Sequence, residues 1–254
     1  MSAVHLIWHD TVAELRLDNP AKLNAFTVEM LDHLDGHLKT LDRTPARAVV
    51  VTATGERAFC TGADINAWGD LAPADFARHW VRGGHRIFDR LARLPMPTIA
   101  ALSGHAFGGG LELAAACDIR VMAPAATIAL PEAGVGIVPG WSGTQRLARL
   151  LPEAVLKEMA LFGRRIGAQR AHQIGFVADV AEDPRALAFD IATRLLTQSP
   201  RATEVAKYMI HAAVGEDTAA MIETLGSGMI AASADKTEGV AAFRAKRKPE
   251  FPGA

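Results

Sequence analysis

The sequence predicts an α/β protein with largely parallel strand pairing and a helical tail. Three observations carry that prediction. Apolar strand-like runs alternate with helical periods through roughly the first 150 residues, as in "MPTIAALSG" followed by "GGGLELAAAC". Glycine-rich stretches follow predicted strands in "AFCTGADI" (58–65), "HAFGGGLE" (105–112) and "PEAGVGIVPGWSGTQRL" (131–147). From about residue 152 onward the strand signal thins and helical segments succeed one another.

The first stretch, "AVHLIWHD" and "VAELRLD", reads as two short strands joined by a turn near Asp10–Thr11. The second alternates Val12, Glu14, Arg16 and Asp18 against Ala13, Leu15 and Leu17, the pattern of a half-buried strand. "NPAKLNAF" is a loop. Thr27 then suits a helix N-cap, with Glu29 in the first turn and Leu31, Leu34, Leu38 and Leu41 along one face. "ARAVVVTATG" is a buried strand by its continuous apolar run and closing glycine. "ERAFCTGADINAW" is expected to be a loop entering a helix, and "HRIFDRLARL" has helical spacing at Ile87, Leu91 and Leu94. "MPTIAALSG", "DIRVMAP" and the start of "ATIALPEAGVG" are strands, with "GGGLELAAAC" a helix between the first two. The tail reads as helices in "PEAVLKEMALFG", "GAQRAHQIG", "DPRALAFDIATRLLTQ", "PRATEVAKYMIHAAV", "DTAAMIETLGSGMIAASA" and "KTEGVAAFRAKRK".

Bulk properties narrow the function classes. The 254 residues, 50% hydrophobic and 22% charged, fit one large domain or one domain with an appendage. A net charge of -1 supplies no global field for nucleic acid or an anionic membrane. Cys60 and Cys117 cannot build a disulfide framework and lack a CxxC spacing, so a reducing compartment is expected. The N-terminal stretch carries charges throughout and has no apolar run suited to a signal peptide or a membrane span. A soluble cytoplasmic protein is expected. The nine histidines show no ligand spacing, and no metal is expected.

Glu112 stands in a run of glycine and small apolar residues, where the next charge, Asp118, has the same sign. Burying an unpaired carboxylate is costly and raises its pKa. Such a residue is either at a helix edge facing water or held in an apolar site for chemistry. Glu132 follows Pro131 in similar surroundings. Two such carboxylates beside glycine-lined turns suit acid–base work at a polarised carbonyl. Glycine between strand and helix lets backbone N–H groups face a negative charge, or simply makes a tight turn. Phosphate-loop readings fail, because there is no GxxxxGK[ST] and "GVGIVPG" has the wrong spacing for a dinucleotide fingerprint.

Taken in order, "LDNPAKLNAF", "AFCTGADI", "GHAFGGGLELAAACDIRV", "LPEAGVGIVPGWSGTQRL" and "EGVAAFRAKRKPEF" resemble the crotonase superfamily, the enoyl-CoA hydratases and isomerases. The resemblance covers nearly the whole chain. It implies a crotonase-like spiral of ββα units carrying the active site over residues 1–192. It implies a helical oligomerisation region over 193–254 that builds homotrimers, commonly paired into homohexamers; Met221, Leu225 and Met229 would suit such contacts. The implied substrate is an acyl-CoA thioester, with coenzyme A part of the substrate and no separate cofactor.

By motif position, the amides of Ala63 and Gly109 resemble the family's oxyanion hole, each donor contributing on the order of 3 kcal/mol. Glu112 resembles the residue that orients and deprotonates the attacking water, and Glu132 the residue that exchanges a proton with Cα. Gly140 matches a glycine whose amide helps hold the water. Ala21, Lys22, Leu23, Ala25, Asp64 and Ile65 resemble contacts to the nucleotide and pantetheine, and Lys246 a basic residue reaching a CoA phosphate. The resemblance therefore implies hydration of trans-2-enoyl-CoA to 3-hydroxyacyl-CoA.

Departures and rivals follow from the same motifs. Asn66 stands where a lysine is often found after "ADI". Trp68 and Trp141 are bulkier than usual; they either shape the acyl pocket or face the core or a subunit contact. Cys60 is expected to be a small core residue. A Δ3,Δ2-enoyl-CoA isomerase needs mainly one base, and retention of both glutamates argues against it. An RNA-binding relative would want a lysine-rich helical face, whereas "EMLDHLDGHLKTLDRT" is mixed to acidic.

Overall fold

In the structure, a computed structural model describing residues 2–216 and 233–254, the apolar runs assemble into two sheets. The strands in chain order are β1 (Ala3–His9), β2 (Val12–Asp18), β3 (Ala48–Ala53), β4 (Ala58–Cys60) and β5 (Thr98–Leu102), followed by β6 (His105–Phe107), β7 (Ile119–Met122), β8 (Thr127–Ala129), β9 (Ile166–Gly167) and β10 (Asp179–Val180). The larger sheet has the order β1-β2-β3-β5-β7-β10 and the smaller β4-β6-β8-β9. Among the described residues, only the β1–β2 and β8–β9 pairs are antiparallel. The pairs β3–β4, β5–β6 and β7–β8 each give their first strand to the larger sheet and their second to the smaller, and a helical segment follows each pair. This is the ββα spiral that the motifs imply.

The chain divides into two compact units, Met1–Pro200 and Arg201–Ala254. Helices of the first are α1 (Val28–Leu41), α2 (Arg82–Ala92), α3 (Gly109–Ala115), α4 (Gly143–Leu150), α5 (Glu153–Phe162), α6 (Ala168–Gln173) and α7 (Pro184–Leu195). Thr27 caps α1 by accepting from the Met30 amide at 3.3 Å, and α1 buries Leu31, Leu34, Leu38 and Leu41 as its period predicts. The second unit holds α8 (Pro200–Ala213) and α9 (Ala234–Ala245). Its C-terminal segment folds back on α9 through Arg247–Glu238 and the Gly253 amide to Asp235. Met221, Leu225 and Met229 lie outside the described residues.

Several local expectations are corrected. Residues 58–60 are a strand, not a loop; three residues between charged and glycine-rich neighbours are too few to show a period. The helical region before β5 contains a π-helical segment, Phe76–Val81, ahead of α2, and Leu94 is buried beyond the helix end. The tail contributes two strands of two residues each, β9 and β10.

The polar face of β2 is the largest departure. Glu14 is fully buried, because α7 covers that side of the larger sheet with Ala188 and Ala192 against Val12, Val50 and Ile99. Arg185 of α7 donates to both carboxylate oxygens at 2.9 Å, Thr52 donates at 2.7 Å, and His9 Nε2 lies at 2.8 Å. Burial opposes ionisation here, yet those partners outweigh it and hold the Glu14 carboxyl at about 2. With the folded pKa below the unfolded value, the stabilisation is complete above about pH 4.5 and is lost as pH falls toward 2. Arg185→Ala should therefore destabilise the fold by about 3 kcal/mol at neutral pH, leaving a buried carboxylate short of its main partner. Chemical denaturation at pH 7 and pH 3 checks this, and the gap between variant and wild type should shrink at the lower pH.

Candidate active site

Parallel pairing of β4, β6 and β8 decides where the site forms. Loops leaving the C-terminal ends of neighbouring parallel strands emerge on the same side. The three glycine-rich stretches follow β4, β6 and β8, so one end of the smaller sheet collects Ala63, Gly109 with Glu112, and Glu132. The sequence shows each stretch separately; the small sheet brings them together.

Ala63 is held in an extended bridge beside Phe26. Phe26 N–H donates to the Gly62 carbonyl and Asp64 N–H to the Phe26 carbonyl, both at 2.8 Å. Successive amides of an extended chain point to opposite sides, so the Ala63 N–H turns away from Phe26. Gly109 opens α3, where the first amides of a helix lack intrahelical acceptors. Neither amide donates to a backbone carbonyl among the described residues.

Glu112 lies one turn into α3 and is 3% exposed. Its Oε1 accepts from the amides of Trp141 and Gly143, each at 2.8 Å. Gly143 must be glycine for this approach, since a Cβ there would lie 2.6 Å from Oε1. Burial raises the Glu112 pKa, and the Trp141, Gly143 and Gly140 amides with the Arg146 charge pull against it. The helix-edge alternative is excluded.

Glu132 begins a short 3₁₀ turn, Glu132–Val135, and is buried. Its Oε2 has no hydrogen-bond partner among the described residues. Burial pushes its carboxyl up to about 7, assisted by the negative charge of Glu112 and opposed by its own backbone amide. The two glutamates therefore sense one another across the site.

Both carboxylates line one cavity of about 180 Å³, together with Ala63, Gly109 and Gly140. Trp68 and Trp141 also line it, Trp141 while buried in the core and Trp68 while packed against that core. Trp141 is clamped, its indole N–H donating to the Trp80 carbonyl at 3.2 Å and its ring packing edge-on to Phe26 and Phe88.

Comparison with known proteins shows the family. The family model described as enoyl-CoA hydratase/isomerase matches residues 8–254. The chain belongs to the enoyl-CoA hydratase/isomerase family. It is 36% identical over 253 residues to the mitochondrial enoyl-CoA hydratase of Pongo abelii, covering 96% of this chain and 84% of that protein. It is 34% identical over 262 residues to the carnitinyl-CoA dehydratase of Proteus mirabilis, covering 99% and 98%. The crystal structure of enoyl-CoA hydratase from Bacillus anthracis superposes with a TM-score of 0.81 at 32% identity, covering 99% of both chains. The fold is thus the crotonase fold of enoyl-CoA hydratases.

The other candidate positions in this enoyl-CoA hydratase/isomerase chain divide. Ile65 lines the cavity and is half exposed. Ala21, Lys22, Leu23 and Ala25 lie on the loop that runs beside residues 61–64, tied to it by the Thr61 amide donating to the Leu23 carbonyl. Lys22 Nζ donates to Asp64 Oδ2 at 2.6 Å, which holds the Asp64 carboxyl below its usual range. Lys246 belongs to the second unit, exposed just past α9. Cys60 is buried in the core with its thiol pushed up to about 12 by burial, so it is no nucleophile.

Phe76, Trp80 and Val81 of the π-helical segment line the cavity and were not legible as site residues. One signal was available in the adjoining "GGH". A Cβ on Gly84 would lie 2.2 Å from Trp141 Nε1, so only glycine fits there.

Because the folded pKa of Glu132 lies above 4.5, its ionisation destabilises the fold as pH rises from about 4.5 through 7. Glu132→Gln should melt higher than wild type at pH 8, by roughly 2–4 °C per kcal/mol relieved, and equally at pH 5. Differential scanning calorimetry at the two pH values checks this.

Proposed function

We propose that the protein adds water reversibly across the double bond of a trans-2-enoyl-CoA to give a 3-hydroxyacyl-CoA. The observation that carries this reading is the convergence of two buried carboxylates, one from α3 and one from the turn after β8, on one cavity also lined by Ala63 and Gly109. The amides of Ala63 and Gly109 donate to the thioester oxygen as it gains enolate character. Glu112 takes a proton from water as it attacks Cβ, and Glu132 delivers a proton to Cα. Gly140 helps hold that water. Every proton is accounted for, with one entering Glu112 as one leaves Glu132. The acyl-CoA brings its own coenzyme, so no further cofactor is required.

Ile65, Lys22 and the 21–25 loop form the side on which the CoA arm lies, with Lys22–Asp64 joining that loop to residues 63–65. We assign Lys246 to a CoA phosphate, and the helices of the second unit to trimers or paired trimers, on the family resemblance. The buried thiols of Cys60 and Cys117 suit a reducing compartment such as the cytoplasm. Among the described residues no helix is long and apolar enough to cross a membrane.

The deciding assay is loss of the ultraviolet enoyl-thioester signal with crotonyl-CoA, beside a 3-enoyl-CoA. Wild type should consume crotonyl-CoA and gain little signal from the 3-enoyl compound. Glu112→Gln and Glu132→Gln should each lower turnover by about 10²- to 10⁴-fold with CoA binding retained. Near-wild-type turnover in either variant removes that residue from the mechanism, and a signal from the 3-enoyl compound alone makes the protein an isomerase. Since the glutamate pair must hold one proton in either direction, kcat/KM for hydration and for dehydration of the 3-hydroxyacyl-CoA should fall together above about pH 7, with their ratio unchanged.

The walls support a short acyl group, because Trp68 and Trp141 occupy space at the cavity that a longer chain would need. Trp141→Leu should change the kcat/KM ratio of an eight-carbon to a four-carbon 2-enoyl-CoA by at least about tenfold in favour of the longer chain. An unchanged ratio in competition assays would place the chain-length limit elsewhere.

A further inference from the structure

Behind the cavity wall, a ring of polar side chains ties α2 to α4, and the reaction as proposed does not use it. Ser142 is buried and has φ +78°, in the left-handed region that side chains other than glycine seldom adopt. Its Oγ lies 2.7 Å from His85 Nδ1, and His85 Nε2 lies 3.1 Å from Asp89 Oδ2. Asp89 Oδ1 accepts from Arg146, and the Arg146 amide donates to the Ser142 carbonyl at 2.9 Å, closing the ring. Since a carboxylate only accepts, Nε2 carries the proton shared with Asp89. A singly protonated ring then offers Nδ1 as acceptor to the Ser142 hydroxyl.

These are the residue types of a hydrolytic triad, but the geometry serves another purpose. Ser142 does not line the cavity, so its hydroxyl has no substrate carbonyl to attack. Its neighbours in the chain do face the site. The amides of Trp141 and Gly143, on either side of Ser142, both reach Glu112 Oε1 at 2.8 Å. A left-handed residue between two amides lets both N–H groups converge on one acceptor. If Ser142 relaxed to negative φ, the Gly143 amide would swing away from the carboxylate.

We infer that Ser142 and His85 are positioning residues for Glu112: the Ser142–His85–Asp89 strap holds the strained turn that aims two amides at that carboxylate. The inference rests on Glu112 acting as base in the hydration proposed above. Strain of this kind persists only where surrounding contacts enforce it. The hydroxyl strap, anchored by Asp89 and Arg146, is such a contact. A glycine at 142 would need none, because it reaches positive φ without a Cβ clash.

The test compares His85→Ala, Ser142→Ala and the double variant His85→Ala/Ser142→Gly, each read by crotonyl-CoA kinetics and by hydrogen–deuterium exchange over residues 140–144. Ser142→Ala removes the hydroxyl but keeps the Cβ, and it leaves the His85–Asp89–Arg146 network intact should His85→Ala fold poorly. Both single variants should lose kcat by about 10- to 100-fold, as expected for a slightly misplaced catalytic group, with KM changed by less than about threefold. The double variant should recover most of the loss seen in His85→Ala. Faster exchange over 140–144 in both single variants should slow again in the double variant. A rise in KM at constant kcat, or a double variant no better than His85→Ala, overturns the inference. Unchanged exchange in both single variants also overturns it, even if wild type proves inactive on crotonyl-CoA. That inactivity alone, with the exchange pattern as expected, refutes the hydration reading and leaves the strap standing.

Discussion

The site depends on keeping two carboxylates buried beside one small cavity. Neither can be neutralised by a salt bridge of its own without losing its freedom to move a proton, so their environments must differ instead. Glu112 receives the Trp141 and Gly143 amides and feels the Arg146 charge, which favours its ionised form against burial. Burial and the repulsion of Glu112 favour the protonated form of Glu132 against its own amide, and its Oε2 has no hydrogen-bond partner among the described residues. Two like groups that repel do not readily ionise together; burial raises both carboxyls, and Glu132, with fewer donors, is the better placed of the two to give a proton. That asymmetry is the state a hydration needs at its start: a base ready for water and an acid ready for Cα.

Topology makes that asymmetry possible at low cost in side chains. The strands β4, β6 and β8 are only three residues each, yet their parallel pairing fixes three loops at one edge. In the proposed reaction the donors are largely backbone amides, set by the bridge at Ala63, the start of α3 and the turn at Ser142. Such donors are aimed by the fold before any ligand arrives and need no reorganisation when charge develops.

The sequence was legible where a local rule coincided with the tertiary outcome. Leu31 to Leu41 face the core as their spacing predicts, and Thr27 caps the helix it precedes. Glu112, Glu132, Ala63, Gly109 and Gly140, singled out by motif, all line the same cavity. Legibility failed where a partner distant in sequence decided the result. Glu14 lies on the polar side of an alternating strand, and only α7, some 170 residues on, buries it and supplies Arg185 (|i−j| = 171). The role of Gly84 is set by Trp141, and that of Ser142 by His85. No periodicity records such pairs, because each requires knowing which helix packs on which loop. Trp68 and Trp141 were ambiguous for the same reason: bulk is visible in a sequence, the direction it faces is not.

A division of labour follows from these two kinds of group. Backbone amides stay in place whatever side chains surround them, so the walls of the cavity can change while the polarising donors remain. Trp68, Trp80 and Trp141 are wall residues of that kind, and in the proposed reaction they shape the acyl group without taking part in proton transfer. Ser142 is the exception. There a side chain, through His85, constrains the backbone itself, and the geometry of two amides depends on a hydroxyl that never meets the substrate. At this turn the proposed chemistry depends on residue identity behind the wall, whereas at Gly109 it depends on the wall itself, since a Cβ there would lie 2.8 Å from the Trp141 ring.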